Sequence, residues 1–337
     1  MDMNQIREKA RADMGGMCHA CPVCDGRACG TRIPGPGSRG GDAYRNYQAW
    51  QQWQLQMDTL TEVRTADLSF DLFGRKLKYP ILAGPVGSAP NHYGPLYDDV
   101  WFNNNLIAGC KNAGILYCSG DSVKPTMEIA CDAIRQNGGW GIPVMKPWQE
   151  ESEIVRRMAL VKACSPIALA MDVDAGGLGN LRKGAHPAGN KSVAELARVV
   201  ELADGLPVIA KGILTAKGAL KALEAGCSGI IVSNHGGRTL EGARTTAEAL
   251  PEIADAVKGK LTIFVDGGIR SGSDVFRALA LGADAVMICR PVMTALYGGG
   301  QEGIRVWADT VGHQLETAMV LCGAGDLAGI SRDMITK

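Results

Sequence analysis

Eight short apolar runs recur between residues 81 and 288, and helical stretches separate them. They cover 81–83, 115–118, 142–145, 167–171, 207–210, 229–232, 261–265 and 285–288. Runs this short, rich in Ile, Val, Leu and Ala, suit strands buried on both faces better than helices. Helical periodicity falls between the later runs, at 193–202, 216–225, 245–257 and 272–281. Such alternation implies parallel strands joined by right-handed crossovers. Eight units in roughly 250 residues is the usual size of a (β/α)8 TIM barrel. The predicted architecture is therefore a barrel over 61–337, preceded by a Cys-rich N-terminal extension and a helix over 1–60. A doubly wound open sheet competes. The number of units and the missing Gly-x-Gly-x-x-Gly after the first run count against it.

The remaining composition narrows the function class. Basic and acidic residues balance at 35 each, so bulk charge draws the chain to neither nucleic acid nor a membrane surface. No apolar run approaches the ~20 residues of a membrane span, and the first residues lack the apolar core of a secretory signal. The expectation is a cytoplasmic protein with a small-molecule substrate. Seven of the eleven cysteines are scattered through apolar segments and read as small core residues of a reducing compartment.

In a barrel, chemistry sits where strands end. The first run is followed by Gly84, Pro85, Val86 and Gly87, and the second by Ser119, Gly120 and Asp121. The next three end in Lys146, in Asp172, and in Lys211 with Gly212. The sixth leads through Ser233 to His235 and Arg238, the seventh to Asp266, Gly267, Gly268 and Arg270, and the eighth to Arg290. Charged residues and glycines thus collect at one rim. His235 offers a proton acceptor and Arg238 a fork for an anion. Residues 265–272 run from a strand into a helix start, where exposed N–H groups and the helix dipole favour phosphate, and Arg290 adds a second guanidinium. The alternatives are ordinary: a solvated turn at 235–238, and glycines at 267–268 required for helix–strand packing.

Residues 210–215, 231–238, 265–272, 275–283 and 290–292, in this order, resemble the FMN-dependent α-hydroxy-acid oxidase/dehydrogenase family, which includes glycolate oxidase and the flavin-linked lactate dehydrogenases. The likeness is dense from 205 to 330 and looser from 65 to 180. It implies oxidation of a small 2-hydroxy acid to the 2-oxo acid by His-assisted hydride transfer to FMN. In that reading Asp266, Gly267, Gly268, Arg270 and Arg290 hold the ribityl and phosphate of FMN. Pro85, Val86, Gly87, Ser119, Lys146 and Ser233 adjoin its ring, and Lys211 stabilises the reduced ring. His235 is the base, Asp172 fixes its tautomer, and Arg238 and Lys146 bind substrate. The resemblance also implies a homo-oligomer, a tetramer, and an electron-transfer partner as acceptor. The sequence departs from the family pattern where a tyrosine near the N-terminal helix, a glutamine and tyrosine on strand three and a second arginine after strand four are usual. Lys146 stands near the strand-three pair, Arg182 is the loose substitute for the arginine, and Tyr44 or Tyr47 for the phenol. These departures keep open an FMN-dependent isomerase or reductase of the type 2 isopentenyl diphosphate isomerase kind, and a flavin-free barrel.

The N-terminal extension carries Cys18-x2-Cys21-x2-Cys24-x4-Cys29. This spacing suits an iron–sulfur cluster, a tetrahedral zinc ion or a set of unliganded thiols. A Pro/Gly-rich passage at 33–41 reads as a loop, and 44–57 as a helix with Tyr47, Trp50 and Trp53 near one face.

Overall fold

A computed structural model describes residues 1–29, 41–122, 125–184 and 186–337. The Pro/Gly passage expected to be a loop lies, but for Gly41, outside the described residues. All eight expected strands form. They are β1 (Ile81–Ala83), β2 (Leu116–Tyr117), β3 (Val144–Met145), β4 (Leu169–Asp172), β5 (Val208–Ile213), β6 (Gly229–Val232), β7 (Thr262–Val265) and β8 (Ala285–Ile288). Every neighbouring pair is parallel, in the order β2-β1-β8-β7-β6-β5-β4-β3. The ring closes between the two outermost strands through a parallel bridge from Cys118 to Ile142, where Ser119 N–H donates to Ile142 O at 3.0 Å. Closure removes the open-sheet alternative.

Alternation along each strand sorts the side chains into two layers. Leu82, Leu116, Val144, Ala170, Ile209, Ile231, Phe264 and Met287 pack together inside the barrel. Leu72 and Leu77, from the hairpin that precedes β1, join this inner cluster. The intervening residues, among them Ile81, Met145, Met171, Ala210, Val232 and Val265, face the helical layer. That layer includes the four expected helices at Val193–Ala203, Ala216–Glu224, Thr246–Val257 and Gly272–Ala280.

The N-terminal residues lie on this frame. Helix α1 (Met3–Asp13) packs on the long C-terminal helix Arg290–Cys322, which is broken at Gly300. Helix α2 (Gly41–Gln51) is shorter than the expected 44–57. It stops because Gln54–Leu55 pairs antiparallel with Ile335–Thr336, so ladder bonds replace helical ones and Trp53 falls past the helix end. Among the described residues no helix is long and apolar enough to cross a membrane.

A Cβ placed at Gly298 would sit 1.9 Å from the carbonyl oxygen of Ile6, whereas one at Gly299 meets only the Ile6 side chain at 3.3 Å. Gly298→Ala should therefore force α1 away, at a cost of ~1–3 kcal/mol, and lower the thermal midpoint by about 2–6 °C. Gly299→Ala should leave it within a degree or so; differential scanning calorimetry of the pair checks this.

Candidate functional site

The inward parity of the strands builds the site. Two residues beyond the last inward apolar side chain, the same orientation recurs at the open end, and there the sequence places Lys146, Asp172, Lys211, Ser233 and Asp266. The apolar barrel interior is thus capped by a layer of charge. Asp172 is its centre, 1% exposed. Its Oδ2 accepts from Lys146 Nζ at 2.6 Å and its Oδ1 from Lys211 Nζ at 2.9 Å. Lys211 Nζ also lies 3.9 Å from Asp266 Oδ2. Burial pushes the Asp172 carboxyl up, but the charges of His235, Lys146 and Lys211 together outweigh it and hold it well below the carboxylate range. Burial likewise pulls Lys211 down, and Asp172, Asp174 and Asp266 reverse this and hold its ammonium above the ordinary lysine range. Asp266 is pushed up by burial, with Lys211 opposing.

His235 follows β6 in a left-handed turn in which it, Gly236 and Gly237 have φ of 58°, 68° and 79°. A side chain in that region is strained. It is held by its own N–H, which donates to Ser233 Oγ at 3.1 Å, and by carboxylates at Nδ1. The expectation made Asp172 the carboxylate that orients this ring. Asp172 Oδ1 does lie 3.5 Å from Nδ1, but Asp174 Oδ1 is nearer, at 3.2 Å. The sequence reading had passed over Asp174. It stands just past β4 in a 3-10 turn, Val173–Gly177, and only the fold turns it toward the loop after β6.

The phosphate end differs from expectation in one respect. The helix after β7 is capped from within: Ser271 and Asp274 form a capping box, Arg270 N–H and Ser271 N–H both donate to Asp274 Oδ2, and Gly272 N–H donates to Gln314. The N–H groups of Arg270, Ser271, Gly272 and Asp274 are therefore already taken. The helix that begins at Arg290 has its N-terminus at the cavity wall instead, where Cys289 and Arg290 both line the space. Gly268 is required by packing, because a Cβ there would lie 2.5 Å from the backbone of Asn46 on α2. Arg270 Nε donates to the carbonyl of Cys24, which ties the Cys-rich segment to this rim.

The four N-terminal cysteines do not assemble as a single-ion site. Among the described residues the sole group of three ligand-type atoms within 4.8 Å of one another is Asp172, Asp174 and His235. Burial pushes the Cys18 thiol up to about 11 and raises Cys21 and Cys29 as well, with the neighbouring cysteines adding to each shift. Neither zinc nor an iron–sulfur cluster gains support from this geometry.

These groups surround a cavity of about 720 Å³ at the rim. Its walls include Pro85, Val86, Gly87, Lys146, Asp172, Lys211, His235, Arg238, Asp266, Gly267, Gly268, Arg270 and Arg290 from the expected set. Ser119 and Ser233 stand behind the wall, both fully buried. Tyr44, Tyr47 and Arg182 do not line it; Tyr93 supplies a phenol there, and His92 an imidazole pushed down to about 4 by burial and by the charges of Arg238 and Lys146. Arg238 Nε, Asp266 Oδ1 and Ser119 Oγ are buried without hydrogen-bond partners. A buried polar atom left unpaired is costly, so these orphans at or beside one cavity point to a polar ligand. Two guanidiniums at one end, an unpaired carboxylate oxygen between and an ammonium deeper in fit the phosphate, ribityl and ring of FMN.

Comparison with known proteins agrees. The family model described as FMN-dependent dehydrogenase matches residues 37–188 and 185–337. A peroxisomal (S)-2-hydroxy-acid oxidase of Oryza sativa subsp. japonica is 32% identical over 324 residues, covering 86% of both chains. A 4-hydroxymandelate oxidase of Amycolatopsis orientalis is 32% identical over 323 residues, 82% of this chain and 84% of that protein. A crystal structure of mandelate oxidase superposes with a TM-score of 0.81 at 25% identity, over 99% of this chain and 97% of that one. These matches lend no support to the isomerase alternative. By its closed barrel, its charged rim and these matches, the chain belongs to the FMN-dependent dehydrogenase family.

Proposed function

We propose that this protein oxidises a small 2-hydroxy acid to the corresponding 2-oxo acid. The observation that carries the reading is a carboxylate-backed imidazole facing the same cavity as Arg238, whose Nε is buried without a hydrogen-bond partner. When bound, FMN supplies the two-electron acceptor for the hydrogen leaving the substrate carbon. Arg290, with Arg270, would hold its phosphate, Asp266 and the backbone of Gly267 and Gly268 its ribityl chain, and Pro85, Val86 and Gly87 its ring. Lys211, kept charged by three carboxylates, offsets negative charge on the ring.

The substrate side uses this chain's own groups. Arg238 clamps the carboxylate through paired N–H donors, and Lys146, at the same cavity, adds a second cation. With Nδ1 turned to Asp172 and Asp174, the Nε2 of His235 is free to accept the hydroxyl proton. The resulting imidazolium faces two carboxylates, which stabilise it. The electron acceptor is the partner expected from the resemblance, and so is the tetramer.

Four outcomes test this reading. Anaerobic addition of lactate, glycolate or mandelate should bleach the 450-nm band of the holoenzyme; a protein that carries no flavin, or none that any 2-hydroxy acid reduces, overturns it. His235→Ala should keep its FMN while the bleaching rate falls by about 10²–10⁴-fold, followed by stopped-flow absorbance. Arg290→Ala should weaken FMN binding by roughly tenfold to a hundredfold, the worth of a charged hydrogen bond, read from quenching of flavin fluorescence. In Arg238→Lys the loss should appear chiefly in KM, by about tenfold or more, since an ammonium cannot reproduce a bidentate fork.

A further inference from the structure

We propose that Asp174 is the positioning residue that sets the tautomer and orientation of His235, a role its neighbour Asp172 gives up because two lysines occupy it. The inference rests on the reading of His235 as the base and deepens it. Each oxygen of Asp172 already receives an ammonium, Lys146 on Oδ2 at 2.6 Å and Lys211 on Oδ1 at 2.9 Å. His235 Nδ1 is 3.5 Å from that same Oδ1, outside good hydrogen-bond length. Asp174 has no lysine within ion-pair distance among the described residues. Its Oδ1 stands 3.2 Å from Nδ1, and its Oδ2 accepts from Thr239 Oγ1 at 3.3 Å.

The backbone makes room for this carboxylate. A Cβ at Gly212 would lie 2.6 Å from Cβ, Cγ and Oδ1 of Asp174, and Gly212 has a φ of 99° that disfavours any other residue. Asp174 is thus seated from one side by the main chain of β5 and from the other by Thr239, on the loop that carries His235. Charge explains the pairing. Lys146 and Lys211 both bond Asp172 directly, whereas Asp174 acts on Lys211 only at a distance, so the imidazolium formed in turnover still meets a carboxylate with no direct lysine partner among the described residues.

The test reads the tautomer directly, by long-range ¹H–¹⁵N correlation of histidine-labelled holoenzyme, with the His235 signals assigned by their loss in His235→Gln. The expected wild-type pattern carries the proton on Nδ1. Asp174→Asn should lose that pattern, giving the Nε2-protonated form or a mixture, while Asp172→Asn retains it. In the same Asp174→Asn sample kcat should fall by about tenfold to a hundredfold, with KM and flavin content unchanged. An unchanged tautomer in Asp174→Asn, or its loss in Asp172→Asn instead, overturns the proposal. Should Asp174→Asn fail to fold, Thr239→Val decides: a mixed tautomer supports the assignment and a wild-type pattern overturns it. The spectrum needs no turnover. Failure of every 2-hydroxy acid to reduce the flavin therefore counts against the proposed reaction, whereas an insensitive tautomer in an active enzyme counts against Asp174.

Discussion

The ion cluster of Asp172 with Lys146 and Lys211 holds the working end of the barrel together. The three side chains come from the C-terminal halves or ends of β3, β4 and β5, and all are buried. A lone charge in such a place would neutralise or draw in water. Here each compensates another, and the register brings them together, since Asp172 is the direct partner of Lys211 across β4 and β5. Removing Asp172 would leave two buried ammoniums without the carboxylate they share, which costs ~3–5 kcal/mol in comparable sites. The same three charges thus tie neighbouring strands together, and the cavity inherits part of its wall from them.

Much of this was readable in the chain because it depends on local pattern. An apolar run buried on both faces looks alike whatever surrounds it, so all eight strands could be placed. Strand parity then puts Lys146, Asp172, Lys211 and Asp266 on one inner layer. What escaped notice depends on contacts between distant segments. Asp174 follows β4 by two residues, and nothing in Val173-Asp174-Ala175 says that it turns toward His235, 61 residues away. The stop of α2 at Gln51 is set by pairing with Ile335–Thr336, nearly the whole chain away. Residues 265–272 read as a phosphate-binding helix start, and Ser271 with Asp274 is equally a capping-box pattern. The cap occupies most of those donors, and the helix opened by Arg290 has its start at the cavity wall instead.

The glycines at 267 and 268 show how one residue type answers two demands. A tight turn after β7 needs positive φ at both, which are 83° and 89°. Close approach of α2 needs the absence of a side chain, since Asn46 backbone atoms press on Gly268 and Trp50 Nε1 donates to Gly267 O at 2.7 Å. Packing and ligand access are then compatible: the same two residues line the cavity with backbone on one side and support a helix on the other.

That helix reaches the catalytic loop as well. Asn46 and Asn234 exchange side-chain hydrogen bonds at 2.7 and 2.9 Å, and Asn234 immediately precedes His235. A Cβ at Gly237 would come within 2.4 Å of Asp42 Cβ, so α2 also presses on the far side of the turn. The left-handed His235 costs energy that a free loop would release by relaxing. Clamped between Asn46 and Asp42 on one face and Asp174 on the other, it has no room to do so. The pose of the imidazole is thus determined jointly by the barrel rim and by residues almost two hundred positions earlier in the chain. Chemistry at His235 consequently depends on α2 being seated, and the segment before the barrel forms a wall of the site.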